Sequence, residues 1–474
     1  MVTLSQKRQN VKNIFMVVSS NVLTILVALF MGFILPKKMS IEGYAYYRVY
    51  MLYIAYAGFF HFGLVNGIYL KYGNLDVEQL PKKVFRTYSY AMALLQALVV
   101  AGLSIALFLS GFFMETDKVI AFAFVIINIP LINIKWFYSS INQFTKRFVI
   151  DSYVTYLQNA LNLVLVSAAL LCGWYDYKLI LVLLTVCNFV SMVIPMCQNR
   201  QILWGERAPL AQTGILPLIK SGFFLMLSEF IGIIILGIDS MFVDNLFSQT
   251  DFAMYSFAVS VITGIYTLIG VISNLVYPYL VRVSEDKFAE YYTLMSNMLV
   301  IVAVFSMLAF YVVKFIILQW LDKFTPSIPI IEILFGTIVF RTLITLVCGN
   351  YFKVLKLIKS YTENNVFAIA MSFALNVAAY LIFRDYHYIA VASLLSFIIW
   401  YVVTDRIFIR QLKITVGGYA ARYIGILASL AVFYGIRDME PVRAFILYFA
   451  CSVVICLLCF HRQIKQLIGI VRGK

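Results

Sequence analysis

Apolar runs of about 20 residues or more follow one another along this chain, parted by short polar stretches. Fourteen are read, at approximately 13–35, 45–70, 86–113, 118–141, 150–173, 178–198, 217–243, 253–281, 291–319, 328–352, 364–384, 387–409, 419–436 and 442–461. The runs are continuous, so they predict membrane-crossing α-helices. A transmembrane β-barrel would instead show alternating segments of about ten residues. The expected class is an all-α polytopic membrane protein. A basic start, Lys7, Arg8 and Lys12, leads directly into a full-length run, which reads as a retained first helix.

Polar residues inside these runs are the candidates for function. In the fourth run Asn128, Lys135, Ser139 and Asn142 fall within about 60° of one another at 100° per residue. Lipid would not accept that face, so it is expected to meet a water-filled cavity or another helix, with Pro130 allowing a bend. The second run carries Tyr46, Tyr50, Ala57 and His61 on one face, with Arg48 just inside its end. Tyrosines there serve as an interfacial belt or as a surface on which sugars stack. Arg48 either snorkels outward or offers its fork to phosphate oxygens.

Arg341 lies in the middle of the tenth run, too deep to snorkel cheaply, and Lys135 is its counterpart in the first half. Lys314 sits near the end of the ninth run and is expected to snorkel, whereas Asn21 and Asn66 read as packing contacts. "GIIILGIDSMFVDNLFS" (232–248) carries Asp239, with Glu229 ten residues earlier in the same stretch. The two carboxylates are about 15 Å apart along one helix and about 80° apart around it. Glu229 either neutralises Arg341 or Lys135, or takes up a proton or sodium ion that couples movement to a gradient. Asp239 reads as a brace near the helix end.

Composition narrows the class further. The chain is 63% hydrophobic and 12% charged, with mean hydropathy +0.91, against roughly 25% charged residues in soluble domains. The net charge of +15 is unevenly spread. With the N-terminus inside, 25 basic residues fall on the inner side, including Arg406, Arg410, Lys413 and Arg422; nine fall outside and three within spans. That is a positive-inside bias with both termini cytoplasmic, and anionic-lipid contact accounts for the charge without nucleic acid. Nearly all seven cysteines lie in apolar runs, and Cys456 and Cys459, though spaced as CxxC, lack the polar setting of redox or metal chemistry. No phosphate loop or metal-binding HExxH helix occurs, and none of the three histidines has a catalytic partner in sequence. The pattern is that of a transporter needing no cofactor beyond a coupling proton or sodium ion.

The chain also repeats. "MSIEGYAY" (39–46) and "SQTDFAMY" (248–255) match at an offset of 209, "NQFTKRF" (142–148) and "FKVLKLI" (352–358) at 210, and segments 177–191 and 388–402 at 211. Six spans per repeat is even, so the halves share one orientation, with the last two spans added.

"LPKKMSIEGYAYYRVY" (35–50), "FHFGLVNGIYLKYG" (60–73), "GIDSMFVDNLFSQTDFAMYSFA" (237–258) and "LVYPYLVR" (275–282) follow in an order similar to that of a known family. By them the chain resembles the polysaccharide-transporter branch of the multidrug/oligosaccharidyl-lipid/polysaccharide flippases, particularly Wzx-type exporters. The family's acidic residue before F-G-L is His61 here, and the basic residue after its I-D pair is Ser240.

The resemblance implies a MATE-like fold of two six-helix lobes, 1–205 and 206–413, with an added helix pair, 414–474. It implies flipping of undecaprenyl-diphosphate-linked oligosaccharide across the bacterial cytoplasmic (inner) membrane for O-antigen, capsule or exopolysaccharide assembly, by alternating access of a cationic cavity. Arg48, Tyr50, His61, Asn128, Lys135 and Arg341 are the expected substrate contacts, and Glu229 and Asp239 the coupling or ion-pairing carboxylates. The expected partners are the lipid-linked cargo and membrane lipids, with a polysaccharide polymerase and a chain-length regulator as further candidates. The competing readings are a cation-coupled multidrug antiporter of the same superfamily and a membrane-embedded polymerase or glycosyltransferase; the latter is disfavoured by the short outer loops.

Overall fold

A computed structural model describes residues 4–73, 75–145, 147–280 and 283–471; among them the side chains at 4–15, 17, 18, 21, 148, 228, 229, 231, 232, 236, 267–279, 358, 462 and 464–471 lie outside the description. Asn21 is one of these. Regular structure among the described residues is helical throughout. Among the described residues, ten helices are long and apolar enough to cross a membrane, or eleven if a bent pair is one span. The chain divides into two compact units, Met1–Gly237 and Ile238–Lys474.

The first unit contains α1 (Leu4–Lys38), α2 (Ile41–Ile54), α3 (Leu64–Tyr72), α4 (Lys82–Gly111), α5 (Thr116–Phe144), α6 (Phe148–Leu171), α7 (Tyr177–Gln198), short α8 (Arg200–Leu203) and α9 (Leu210–Thr213), and most of α10 (Ile215–Leu246). Side-chain oxygens start several of these: Ser40 accepts from the Gly43 N–H and Asp176 from that of Lys178, each satisfying a donor that the first turn leaves free. Helix α5 runs unbroken through Pro130 and packs against α2, α4, α6 and α7. Its Phe137, Tyr138 and Ile141 meet Phe85 and Tyr88 of α4 and Leu64 and Ile68 of α3 in one core. The connector after α7 is fastened to α4: Lys83 pairs with Glu206, Arg86 donates to the carbonyls of Gln201 and Glu206, and Thr87 to that of Ala208. The Lys83 hydrogen bond holds the Glu206 carboxyl below the ordinary carboxylate range.

The second span departs from the sequence expectation. The helix ends at Ile54, passes through a 3₁₀ turn at Ala57–His61 and resumes as α3, bent by 53°. Phe62 and Gly63 both take positive φ, 48° and 83°. A Cβ on Gly67 would lie 2.1 Å from the Leu218 carbonyl oxygen, and one on Gly222 2.0 Å from that of Gly63. Backbone therefore meets backbone here, which only glycine permits. Tyr46, Tyr50, Ala57 and His61 do not share a single helical face, because the helix stops between them.

The second unit continues from α10 into α11 (Gln249–Leu280), α12 (Phe288–Ser306), α13 (Ala309–Trp320), α14 (Ile328–Phe335), α15 (Thr337–Leu343), α16 (Gly349–Val354), α17 (Ile358–Phe383), α18 (Tyr386–Gln411), α19 (Val416–Gly435) and α20 (Pro441–Val471). Helices α14 to α16 form one span, Asp322–Val354, with a π-helical turn at Ile344–Cys348. Its most apolar window is 83% buried, against 22–44% for the other candidate spans of this unit, so it is the central helix. A helix that is apolar all round belongs in the interior.

The last two helices are stitched to the rest of the unit through polar contacts. Tyr434 donates to the Ile333 carbonyl, beside Gly336, where a Cβ would lie 2.3 Å from that hydroxyl. Tyr448 donates to the Val304 carbonyl. The Lys314 ammonium reaches the α19–α20 turn, where it donates to the carbonyls of Arg437 and Met439. Arg422, counted by sequence among the inner-side cations, is fully buried. Its Nη2 donates to both oxygens of the equally buried Asp405, at 2.7 and 2.6 Å. Tyr292 and Tyr423 donate to the same carboxylate.

Breaking a buried pair from one side leaves a charge without compensation, which costs about 3–5 kcal/mol. Asp405→Asn and Arg422→Gln should each lower the melting temperature of the purified protein sharply. Asp405→Leu with Arg422→Met should recover most of the loss. Thermal unfolding in detergent checks this, and single variants that melt like the wild type would remove the pair from the account.

Candidate functional site

The polar face expected on α5 packs against α6 and α7. Lys135 donates from Nζ to Oε1 of Gln158 on α6. Gln158 donates to Oδ1 of Asn188 on α7 at 2.8 Å, and Asn188 donates to Oδ1 of Asn128 at 2.7 Å. Asn128 donates in turn to Thr185 and to the Phe124 carbonyl, and Thr185 to the Leu181 carbonyl. Asn188 also approaches the Tyr50 hydroxyl of α2 at 3.5 Å. The donors all point away from the ammonium, so each amide dipole is aligned with the charge that begins the series. Bonds aligned in this way polarise one another.

Three expected site residues, Tyr50, Asn128 and Lys135, are thus joined in one network. Three others in it, Gln158, Thr185 and Asn188, were not singled out from sequence. The signal was available: Lys135 and Gln158 lie nearly equidistant from the turn at residues 145–147, and Gln158 and Asn188 from the turn at 172–176. In antiparallel neighbours joined by a short loop, such residues stand at the same level.

The same face continues toward the α5–α6 turn. Asn199 donates to Asn142 at 3.1 Å and accepts from Arg147 at 2.6 Å. Asp151, on the first turns of α6, turns both carboxylate oxygens into the protein, shielded from solvent and met by neutral donors of α5. Ser139, Asn142 and Gln143 of α5 border it, and Lys135 and Arg147 are the cations whose fields reach it.

The remaining first-unit candidates lie apart from this network. His61 is buried in the break of the second span, where Nδ1 accepts from the Gly63 N–H at 3.0 Å, so it closes the turn that redirects the chain. Arg48 is half-buried; its Nε is shielded and has no hydrogen-bond partner. Tyr46 donates to Glu115 at 2.6 Å, at the end of the span. The Glu229 side chain lies outside the described residues.

In the second unit, Arg341 of α15 lays its guanidinium on the Tyr266 ring, 3.4 Å from the centroid. The Tyr266 hydroxyl bonds that of Thr337, one turn before Arg341. The π-helical turn, a distortion that recurs at functional sites, begins at Ile344, just beyond the end of the helix that carries Arg341. Asp239 is buried on α10, where it accepts from Tyr255 at 2.9 Å and from the Ser240 N–H at 2.7 Å. Ser393 of α18 borders it, and its field reaches Arg341. Among the described residues, no carboxylate lies within salt-bridge distance of Arg48, Lys135 or Arg341. No group of three or more His, Cys, Asp or Glu that could hold a metal ion occurs among them either.

No family model and no curated protein matches the sequence. Among solved structures, the chain is similar to the lipid II flippase MurJ in its inward closed conformation. The TM-score is 0.67 at 13% identity, over 97% of this chain and 100% of that one. Sharing at this identity is sharing of fold: the chain has the fold of that flippase.

Proposed function

We propose that this chain is a flippase for lipid-linked oligosaccharides, carrying an undecaprenyl-diphosphate-linked unit from the inner to the outer leaflet for O-antigen, capsule or exopolysaccharide assembly. The observation that carries this reading is the fold shared over nearly the whole chain with a protein that flips lipid II. The fold is a transporter's, which supports a carrier and not an enzyme.

The side chains choose the sign of the cargo. Arg48, Lys135 and Arg341 bring cationic groups into apolar spans and meet no carboxylate at salt-bridge distance among the described residues. An anionic diphosphate supplies the missing charge. A multidrug antiporter needs carboxylates free for a cationic drug, whereas Asp239 is engaged by Tyr255 and Ser240, and Asp405 by Arg422. Tyr50, Asn128 and Asn188 would meet sugar hydroxyls, and access would alternate between the two sides of the membrane. Asp239 and Glu229 remain candidates for ion pairing or for coupling to protons or sodium.

Three long helices, Leu4–Lys38, Ile215–Leu246 and Gln249–Leu280, stand beside the eleven candidate spans and would bring the number to fourteen. This number supports the MATE-like arrangement; in our reading the lobes are 1–205 and 206–413 with the pair 414–474 added, and both termini lie in the cytoplasm of a bacterial cell. A polymerase and a chain-length regulator would receive the product.

Two experiments test this proposal. Single cysteines at Thr116 and Gln249 in a cysteine-free background should react with an impermeant thiol reagent from outside the cell, and cysteines at Gln79 and Glu206 should not; reversed labelling would refute the topology. Losing a charge-assisted hydrogen bond of about 1.5–3 kcal/mol should cut surface polysaccharide about tenfold or more in Arg341→Ala and in Lys135→Ala, with the protein still in the membrane. Arg48→Lys should be partly defective, because an ammonium lacks the fork. Normal polymer from Arg341→Ala at normal expression would remove that residue from the mechanism.

A further inference from the structure

Lys135 and Asp151 are opposite charges on facing helices, and each lacks the other. The ammonium donates to the neutral Gln158, and the carboxylate meets only neutral donors at close range, Ser139, Asn142 and Gln143. A charge within a span is retained only where something compensates it. Asp151 is the charged group whose field reaches Lys135. Gln158 and Asp151 lie seven positions apart on α6, two turns and therefore on nearly the same side, roughly 10 Å apart along the axis. Ser139 and Asn142 of α5 border the space at Asp151, so the way between the two stations is polar. A lysine has a flexible four-carbon stem and three rotatable donors, which suits it to exchange partners.

We propose that Lys135 moves between Gln158 and Asp151, and that Asp151 sets the affinity for anionic cargo by competing for that ammonium. This rests on the reading of Lys135 as a contact for the diphosphate. With Lys135 on Gln158 the ammonium is available to an anion; with Lys135 on Asp151 it is neutralised and the anion is released. Asp151 is thus a specificity-determining residue that acts through Lys135. Arg147, also within its field, is held by Asn199 and Thr145 and stays in place during the exchange.

The test compares wild type, Asp151→Asn, Lys135→Gln and the double variant, each purified as the full chain in detergent, with farnesyl diphosphate as probe and farnesol as its uncharged control. A competitor reduces apparent affinity by the fraction of time that it occupies the site, so Asp151→Asn should bind farnesyl diphosphate about threefold or more tighter than wild type. Lys135→Gln should bind about tenfold weaker, and the double variant like Lys135→Gln, because nothing remains to compete for. Weaker or unchanged binding in Asp151→Asn would overturn the proposal. So would tightening that persists in the double variant, since Asp151 would then act on the anion without Lys135.

Thermal unfolding of the same four proteins tests the pair whatever the cargo. Each single substitution should lower the melting temperature, and the double should recover at least part of the loss; additive losses would overturn the pair. Coupled unfolding together with no preference of the wild type for farnesyl diphosphate over farnesol would instead retire the diphosphate reading and leave the pair standing.

Discussion

Hydrocarbon offers no hydrogen bond, and that constraint orders this structure. A polar group that enters a span is stabilised by a partner within the protein, because lipid supplies none. The apolar runs make the helices, but the few polar side chains inside them decide which helices meet and at what level. Within the first unit the meeting of α5, α6 and α7 is fixed by amides: Gln158, Asn188 and Asn128 each donate and accept in sequence from Lys135. Within the second unit, α12, α18 and α19 converge on one carboxylate, Asp405, which takes hydrogen bonds from Arg422, Tyr292 and Tyr423.

The two arrangements differ in how far they are closed. Asp405 and Arg422 neutralise each other at bonding distance in full burial, a geometry that fixes helices and leaves no charge for a ligand. Lys135 meets only neutral groups at bonding distance, and Arg341 rests on the face of an aromatic ring. A cation so placed keeps most of its attraction for an anion, while the ring or amide holds it in position.

Periodicity made much of this legible in advance. The 100° spacing placed Asn128, Lys135, Ser139 and Asn142 on one face, and the residues they touch lie on neighbouring helices. The break in the second span was less visible, because it depends on Gly63, Gly67 and Gly222 meeting across two helices, a tertiary event with no local periodic signature. Arg422 was misread for a different reason. Counting basic residues by side treats any cation near a span end as a loop cation, yet Asp405 and Arg422 stand nearly equidistant from the turn at residues 412–415. Asn364 and Thr404, hydrogen-bonded at 2.9 Å, are related in the same way about the turn at 384–385. The level at which polar residues meet in antiparallel helices is encoded in their distance from the connecting turn, and that rule would have found both pairs.

The central claim is that the cargo is an anionic, lipid-linked glycan. The most direct measurement reconstitutes the purified chain in vesicles and follows a fluorescent undecaprenyl-diphosphate-linked oligosaccharide, with a membrane-impermeant quencher reporting the leaflet it occupies. The account predicts that the protein accelerates exchange of this lipid between leaflets, and that a cationic amphiphile of similar size is not moved. Transport of the cationic amphiphile with no acceleration of the diphosphate-linked lipid would contradict it.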